Sequence, residues 1–338
     1  MGHRSRTRVV GTRVLPVPET VSPSLQSLLG RDPGPPREIP RTIREWEAVV
    51  VPTADARQSL HSMCDTFAVA VTPQCFGGVP CYRVTPKRLK STPHERLLLG
   101  LPSGGFLFSA GERGLCEAIV MAGLTGYDVI SVDYRLLPQH PFPAAIDDAT
   151  AVWRELSKSA TPGSIGLFGS SVGGALALAL VQRAIREGLS LPGAIVCGSP
   201  WSDLSKTGDS YYTNEGVDNV LAYDGFWAAV AELYAAGLDL RDPLISPVYG
   251  DFIGFPPTSL ISGTRDLFLS NTVRVHRKLM QARVPTQLHV EEAQFHMAYL
   301  YAAVACAPEG LDLYSGIERF FATYLGQGER TPGPGVLA

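Results

Sequence analysis

One serine of this 338-residue chain lies between two glycines at the spacing Gly-x-Ser-x-Gly, which is typical of a serine nucleophile. The serine is Ser171, with Gly169 before it and Gly173 after it. A short apolar run precedes the motif and a long Ala/Leu-rich segment follows it, so the pattern predicts a strand, a tight turn and a helix. Such a turn would expose the Ser171 hydroxyl at the helix N-terminus, where negative charge is favoured. Gly/Ser-rich turns before helices also occur without any catalytic role, so further residues are needed to support the chemistry.

A serine nucleophile needs a base, and the base needs an acid that orients it. Asp266 follows an apolar run in Ile-Ser-Gly-Thr-Arg-Asp, where it could orient a base or simply cap the next helix. His289 alternates within a predicted strand, whereas His296 lies in the loop beyond that strand. We therefore predict His296 as the base, and the chain order Ser171, Asp266, His296 is a known order for such a triad.

Backbone amides near the predicted serine could stabilise the oxyanion of a tetrahedral intermediate. The apolar run Leu97–Leu101 leads into a loop that contains Ser103, Gly104 and Gly105. We predict that their amides and that of Val172 form the oxyanion hole. The alternative is an ordinary turn at the end of a strand.

Apolar strand-like runs alternate with amphipathic helix-like segments through most of the chain, which predicts a mostly parallel, doubly wound α/β sheet. Ligands of such sheets bind at the carboxyl ends of the strands. We predict two strands around Gly77 and Gly78. Further predicted strands are Leu97–Leu101, Asp128–Val132, Ile165–Phe168, Ala194–Cys197, Ser259–Ile261 and Thr286–Val290; predicted helices are Ile43–Val51, Arg57–Asp65, Gly114–Ala122, Ala144–Leu156, the segment after Ser171, Ser270–Met280 and Leu311–Tyr324.

The composition argues against several classes of partner. A net charge of −3 gives no electrostatic reason to expect nucleic acid or an anionic membrane. The basic first thirteen residues lack the apolar core of a signal peptide, and no apolar run is long enough for a membrane helix, so we expect a cytoplasmic protein. The six cysteines show no C-x-x-C spacing. We therefore expect free thiols, no metal site and no cofactor.

Several longer motifs resemble the hormone-sensitive-lipase-like branch of the α/β-hydrolases, from about Phe67 to Leu325. The resemblance implies an α/β-hydrolase fold with a helical cap. It also implies a serine carboxylesterase that hydrolyses short-to-medium-chain esters through an acyl-enzyme on Ser171, with Asp266 as the acid and His296 as the base. The motifs are Gly-Gly-Phe at 104–106, Asp-Tyr-Arg-Leu-Leu-Pro at 133–138 continuing to Asp148, Gly-Ser-Ser-Val-Gly-Gly at 169–174, Ser-Pro-Trp-Ser-Asp at 199–203 and Asp-Pro-Leu-Ile-Ser-Pro at 242–247.

The same resemblance implies how the chain is divided. We expect a tail and cap segment at 1–65, a catalytic domain at 66–328 with a cap insert at about 205–240, and a flexible tail at 329–338. The expected partner is a small-molecule ester, and a homodimer is expected because family members often form one. Five aromatic residues are candidates for a substrate pocket, although each could equally pack in the core: Phe106, Tyr211, Tyr212, Phe226 and Trp227.

The chain departs from the family pattern at two places. The oxyanion motif His-Gly-Gly-Gly is replaced by Pro102 to Gly105, and the acid that usually precedes the nucleophile is replaced by Ser170. Val172 stands where the family has alanine. We expect an altered substrate range or a lower rate, with catalysis retained. Alternatives are hydrolysis of a lactone, carbamate or amide on the same triad, or a non-catalytic small-molecule receptor.

Overall fold

The computed structural model describes residues 12, 14–31, 34, 37–50, 56–87, 97–159 and 161–326. The predicted tail at 329–338 and nearly all of the basic first thirteen residues lie outside these ranges. All of the predicted strands are present, and several are one to three residues longer than expected. In chain order they are β1 Val69–Phe76, β2 Val79–Pro86, β3 Leu97–Leu101, β4 Asp128–Val132, β5 Ile165–Ser170, β6 Ala194–Gly198, β7 Thr258–Gly263 and β8 Thr286–Glu291.

These strands form one sheet in the order β1-β2-β4-β3-β5-β6-β7-β8. β1 and β2 are antiparallel and joined through Gly77 and Gly78, whose φ angles of 59° and 80° suit glycine in a tight turn. β2 is antiparallel to β4, and every other neighbouring pair is parallel. The predicted mostly parallel sheet is therefore confirmed.

Helices pack on both faces of the sheet, as its strand pattern requires. Leu98 belongs to the apolar cluster on the face of Ile119 and Phe321, whereas its neighbour Leu99 belongs to the cluster of Trp153 and Leu178 on the other face. Successive strand residues point to opposite faces, so an all-apolar run such as β3 is buried on both. The helices are α1 Pro23–Leu29, α2 Ile43–Val49, α3 Ala56–Thr66, α4 Cys116–Thr125, α5 Ala144–Ser159, α6 Val172–Glu187, α7 Ser210–Thr213, α8 Ala228–Ala235, α9 Leu269–Gln281, α10 Ala298–Val304 and α11 Pro308–Tyr324.

Helix α10 was not predicted from the sequence. It has only seven residues and begins after Met297, whose φ of 59° places it in the left-handed region. A short helix that is apolar on most sides has no clear period, so it cannot be distinguished from a loop segment by pattern alone. No helix in the described ranges is both long and apolar enough to cross a membrane.

The N-terminal helix α1 packs beside the loop that follows β8. The Ser22 side chain accepts from the amide of Leu25, and the Ser22 amide and hydroxyl donate to the Glu309 carboxylate over 2.6 and 2.8 Å. The apolar face of α1, which includes the fully buried Leu25, clusters with Phe295 and Ala298. Residues 14–31 therefore act as a strap against this loop. The assignment of residues 1–65 to a cap stays a prediction.

Replacing Leu25 by alanine should lower the free energy of unfolding by about 2–4 kcal/mol, because a fully buried side chain leaves a cavity in the cluster. Urea unfolding followed by circular dichroism measures this loss. The control is Ile43→Ala on α2, where the side chain is 54% exposed and a change within about 0.5 kcal/mol is expected. Equal stabilities of the Leu25→Ala variant and the wild type would contradict the packing of the strap.

Candidate active site

Ser171 occupies the turn between β5 and α6, with φ of 56° and ψ of −123°. This is a strained backbone conformation for a residue with a side chain, and the surrounding structure must hold it. The Ser171 amide donates to the Gly198 carbonyl over 2.8 Å, and the Ser171 carbonyl accepts from the Trp201 amide over 3.0 Å. The turn is therefore fixed to the end of β6 on one side.

The two motif glycines are explained by close backbone approach rather than by positive φ. A Cβ at Gly173 would lie 2.0 Å from the carbonyl oxygen of Leu101, at the end of β3. A Cβ at Gly169 would lie 2.6 Å from the carbonyl carbon of Gly173. No side chain fits at either position without moving backbone, so the tight packing of strand, turn and helix requires glycine at both.

Asp266 and His296 lie together at the carboxyl ends of β7 and β8. His296 Nδ1 is 3.2 Å from Asp266 Oδ1, and both side chains are almost entirely buried. Asp266 also accepts from the Ser262 hydroxyl and the Phe268 amide, over 2.6 and 2.9 Å. Burial raises the pKa of the Asp266 carboxyl, but the interaction with His296, together with the hydrogen bonds from Ser262 and Phe268, outweighs it and leaves the pKa below its ordinary value. The carboxylate can therefore orient the imidazole with Nε2 free to take a proton.

Asp218, in the predicted cap insert, was not expected from the sequence. Its Oδ2 accepts from the backbone amides of His296 and Leu267, over 3.0 and 2.9 Å. Its Oδ1 accepts from the amides of Val220 and Leu221. Burial raises the pKa of Asp218 to about 6, although the four amide donors favour its ionised form. Asp218 thereby fixes the backbone of both loops that carry the acid and the base.

The loop after β3 has two residues in the left-handed region at the predicted oxyanion site. The φ angles are 105° at Gly104 and 64° at Gly105, whereas Ser103 is outside this region. The four predicted donors, the amides of Ser103, Gly104, Gly105 and Val172, find no hydrogen-bond acceptor in the part of the chain that the structure describes. The Val172 side chain is fully buried in the core. Its branched side chain is therefore not part of the cavity lining.

Ser171, His296 and the loop after β3 share one cavity of about 140 Å³. Trp227 lies directly on the loop, because a Cβ at Gly105 would come within 2.2 Å of its ring. The sequence reasoning missed most of the apolar wall, since it comes from several separate segments. The lining residues are Ser103, Gly104, Gly105, Ser171, Trp201, Val220, Leu221, Trp227, Phe268, His296, Met297 and Tyr301.

Of the five aromatic residues predicted for a pocket, Trp227 lines this cavity and the other four lie elsewhere. Phe106 stacks on Tyr234 in the core, with ring centroids 3.7 Å apart. Tyr211 is fully buried and its hydroxyl donates to a backbone carbonyl. Tyr212 is 66% exposed, and Phe226 packs on Trp46. The helical spacing of aromatic residues therefore did not indicate which of them lie in the core and which line the cavity.

The described residues contain no group of three or more His, Cys, Asp or Glu side chains that could hold a metal ion. Their six cysteines form no disulfide. The candidate catalytic groups of this site are Ser171, His296, Asp266 and the backbone amides around them.

Comparison with known proteins places this geometry in a family. The family model described as the α/β-hydrolase fold matches residues 103–300. An acetyl-hydrolase of Streptomyces hygroscopicus is 32% identical over 234 residues, which cover 69% of this chain and 77% of the relative. An esterase of Acinetobacter venetianus is 29% identical over 215 residues, covering 61% and 71%.

Solved structures give the same result. The crystal structure of one esterase matches with a TM-score of 0.89 and 40% identity, over 94% of this chain and 99% of that one. An esterase of the bacterial hormone-sensitive lipase family matches with a TM-score of 0.73 and 26% identity, over 90% and 99%. The chain therefore belongs to the α/β-hydrolase family, in its hormone-sensitive-lipase-like branch, and is an enzyme of the hydrolase class.

Proposed function

We propose that this protein is a serine carboxylesterase that hydrolyses esters of short acyl chains through an acyl-enzyme on Ser171. The observation that carries the proposal is the shared cavity of Ser171 and His296, with Asp266 hydrogen-bonded to the Nδ1 side of the His296 ring. The relatives named esterase and acetyl-hydrolase support the ester class. A nucleophile, a base with its orienting acid, and oxyanion donors are the parts that acyl transfer requires.

In the proposed mechanism, Ser171 Oγ attacks the ester carbonyl while His296 Nε2 takes the Ser171 proton. The amides of Gly104, Gly105 and Val172 stabilise the oxyanion, and His296 then protonates the departing alcohol. Water, activated by the same imidazole, attacks the acyl-enzyme and releases the acid. Asp266 stabilises the imidazolium in both steps because its carboxylate stays ionised.

The size of the cavity supports a short acyl chain. About 140 Å³ is small beside the roughly 300–1,000 Å³ of common ligand sites. Trp201 and Trp227 meet edge to face with centroids 6.1 Å apart, and Trp201 stacks on Phe268. These large rings limit the length of the acyl group that fits beside Ser171, so we propose acetyl and similarly short esters as preferred substrates.

Replacing Ser171 by alanine should lower kcat for p-nitrophenyl acetate by a factor of about 10⁴ or more, because no other group can form the acyl-enzyme. The variant should also lose labelling by a fluorophosphonate, which reacts with activated serines. Steady-state kinetics and mass spectrometry of the labelled peptide measure both effects. A wild type that neither turns over esters nor becomes labelled would refute the proposed function and leave a non-catalytic receptor.

Replacing His296 by alanine should reduce kcat by a factor of about 10³ or more, since the base is lost. His289 on β8 is the matched control: it lies outside the lining of the cavity, and His289→Ala should keep kcat within about twofold of the wild type. A large loss in the His289 variant with an active His296 variant would assign the base to the other histidine.

Replacing Trp227 by alanine should shift the preference toward longer acyl chains. The ratio of kcat/KM for p-nitrophenyl octanoate to that for the acetate should rise about tenfold, because the ring resting on Gly105 no longer limits the acyl group. Tyr212→Ala, on an exposed aromatic outside the cavity, should leave this ratio unchanged. An unchanged ratio in the Trp227 variant would show that another wall sets the acyl length.

A further inference from the structure

Glu117 is a buried carboxyl group in helix α4, a helix whose buried residues are mostly apolar. Its Oε1 accepts a hydrogen bond from the Ser170 hydroxyl over 2.5 Å. Its Oε2 has no hydrogen-bond partner among the described residues, and no lysine or arginine of those residues forms an ion pair with it. A buried carboxyl group with one hydrogen bond and no counter-ion is costly. The hydrogen bond to Ser170 is therefore a contact that an apolar side chain at position 117 could not make.

Ser170 connects this carboxyl group to both sides of the active site. Ser170 directly precedes Ser171 and is fully buried. Its hydroxyl also contacts the hydroxyl of Tyr299, a buried residue of α10 three positions after His296. A serine hydroxyl has one proton, and because that proton goes to Glu117, the Tyr299 hydroxyl must donate to Ser170. A chain of hydrogen bonds thus runs from Tyr299, in the helix that follows the loop of His296, through Ser170 to Glu117.

We propose that Glu117 is a positioning residue: through Ser170 and Tyr299 it holds the turn of Ser171 in register with the loop of His296. The proposal rests on the nucleophilic role of Ser171 proposed above. The chain has serine where the resemblance leads us to expect an acid before the nucleophile, and Glu117 brings a carboxyl group to that same point from α4. Burial raises the pKa of Glu117 to about 7, and the Ser170 hydrogen bond opposes this rise.

The first test is the loss of the carboxyl acceptor. Glu117→Leu should lower kcat for p-nitrophenyl acetate about tenfold and keep KM within about twofold of the wild type. The Ser171 turn and the loop of His296 would no longer be held in position relative to each other, whereas the residues that line the cavity are unchanged. Glu117→Gln should keep more than about half of the wild-type kcat, since its amide oxygen can accept the same Ser170 hydrogen bond.

The second test moves the carboxyl group from position 117 to position 170. In Glu117→Leu/Ser170→Asp, the carboxylate is supplied by the nucleophile turn and can accept from Tyr299. This double variant should recover kcat to within about threefold of the wild type. The control Thr125→Val also alters a buried polar side chain of α4, one that bonds locally to the Met121 carbonyl, and should leave kcat unchanged.

The outcomes separate the alternatives. A folded Glu117→Leu with wild-type kcat overturns the positioning role. Equal losses in Glu117→Leu and Glu117→Gln without recovery in the double variant also overturn it, because they indicate a general packing role. If Glu117→Leu does not fold, Ser170→Ala replaces it, with the same tenfold loss expected and a wild-type kcat overturning the proposal. Failure of the esterase function would differ from all of these, since the wild type itself would be inactive and unlabelled.

Discussion

The packing of the Ser171 turn against the end of β3 is the constraint on which the rest of the site depends. The backbone of Gly173 lies so close to the Leu101 carbonyl that a Cβ would come within 2.0 Å of the oxygen. Since the loop with Gly104 and Gly105 begins where β3 ends, this contact fixes the nucleophile and the proposed oxyanion donors relative to each other. The Trp227 ring packs directly against Gly105 and closes another side of the site. At Gly173 and Gly105, one element occupies the space that a side chain of another would need.

The acid and the base are held in a different way, because they lie on loops without regular structure. The Asp218 carboxylate accepts hydrogen bonds from two amides of its own segment and from the amides of Leu267 and His296. A buried carboxylate with several backbone donors is a strong and directional acceptor. The loops after β7 and β8 therefore share one acceptor, and a shift of either loop would leave amides unpaired. At the nucleophile turn, the buried Glu117 carboxyl group accepts from the Ser170 hydroxyl instead.

The sequence predicted what depends on local pattern and chain order. Alternation and apolar runs located the strands, and the Gly-x-Ser-x-Gly spacing located the turn of Ser171. The contact of His296 with Asp266 followed from their positions after neighbouring strands. Asp218 and Glu117 could not be predicted, because their partners lie 78 and 53 positions away and neither has a recognisable spacing. For a related reason, the sequence did not identify which aromatic residues line the cavity. Phe106 has the expected position in the motif, but its φ of 61° and its stacking on Tyr234 place it in the core.

The strap of α1 has a consequence for the order in which the protein folds. Ser22 and Glu309 are 287 positions apart, and the Arg265 side chain donates to the Pro16 carbonyl across 249. The Asn219 side chain donates to the carbonyl of Leu29 across 190. Contacts between such distant segments close large loops and form slowly. We therefore expect the immediate neighbours of Asp218, Asp266 and His296 to acquire their final contacts after the strands of the sheet have paired. During refolding, hydrolytic competence would then return later than the secondary structure.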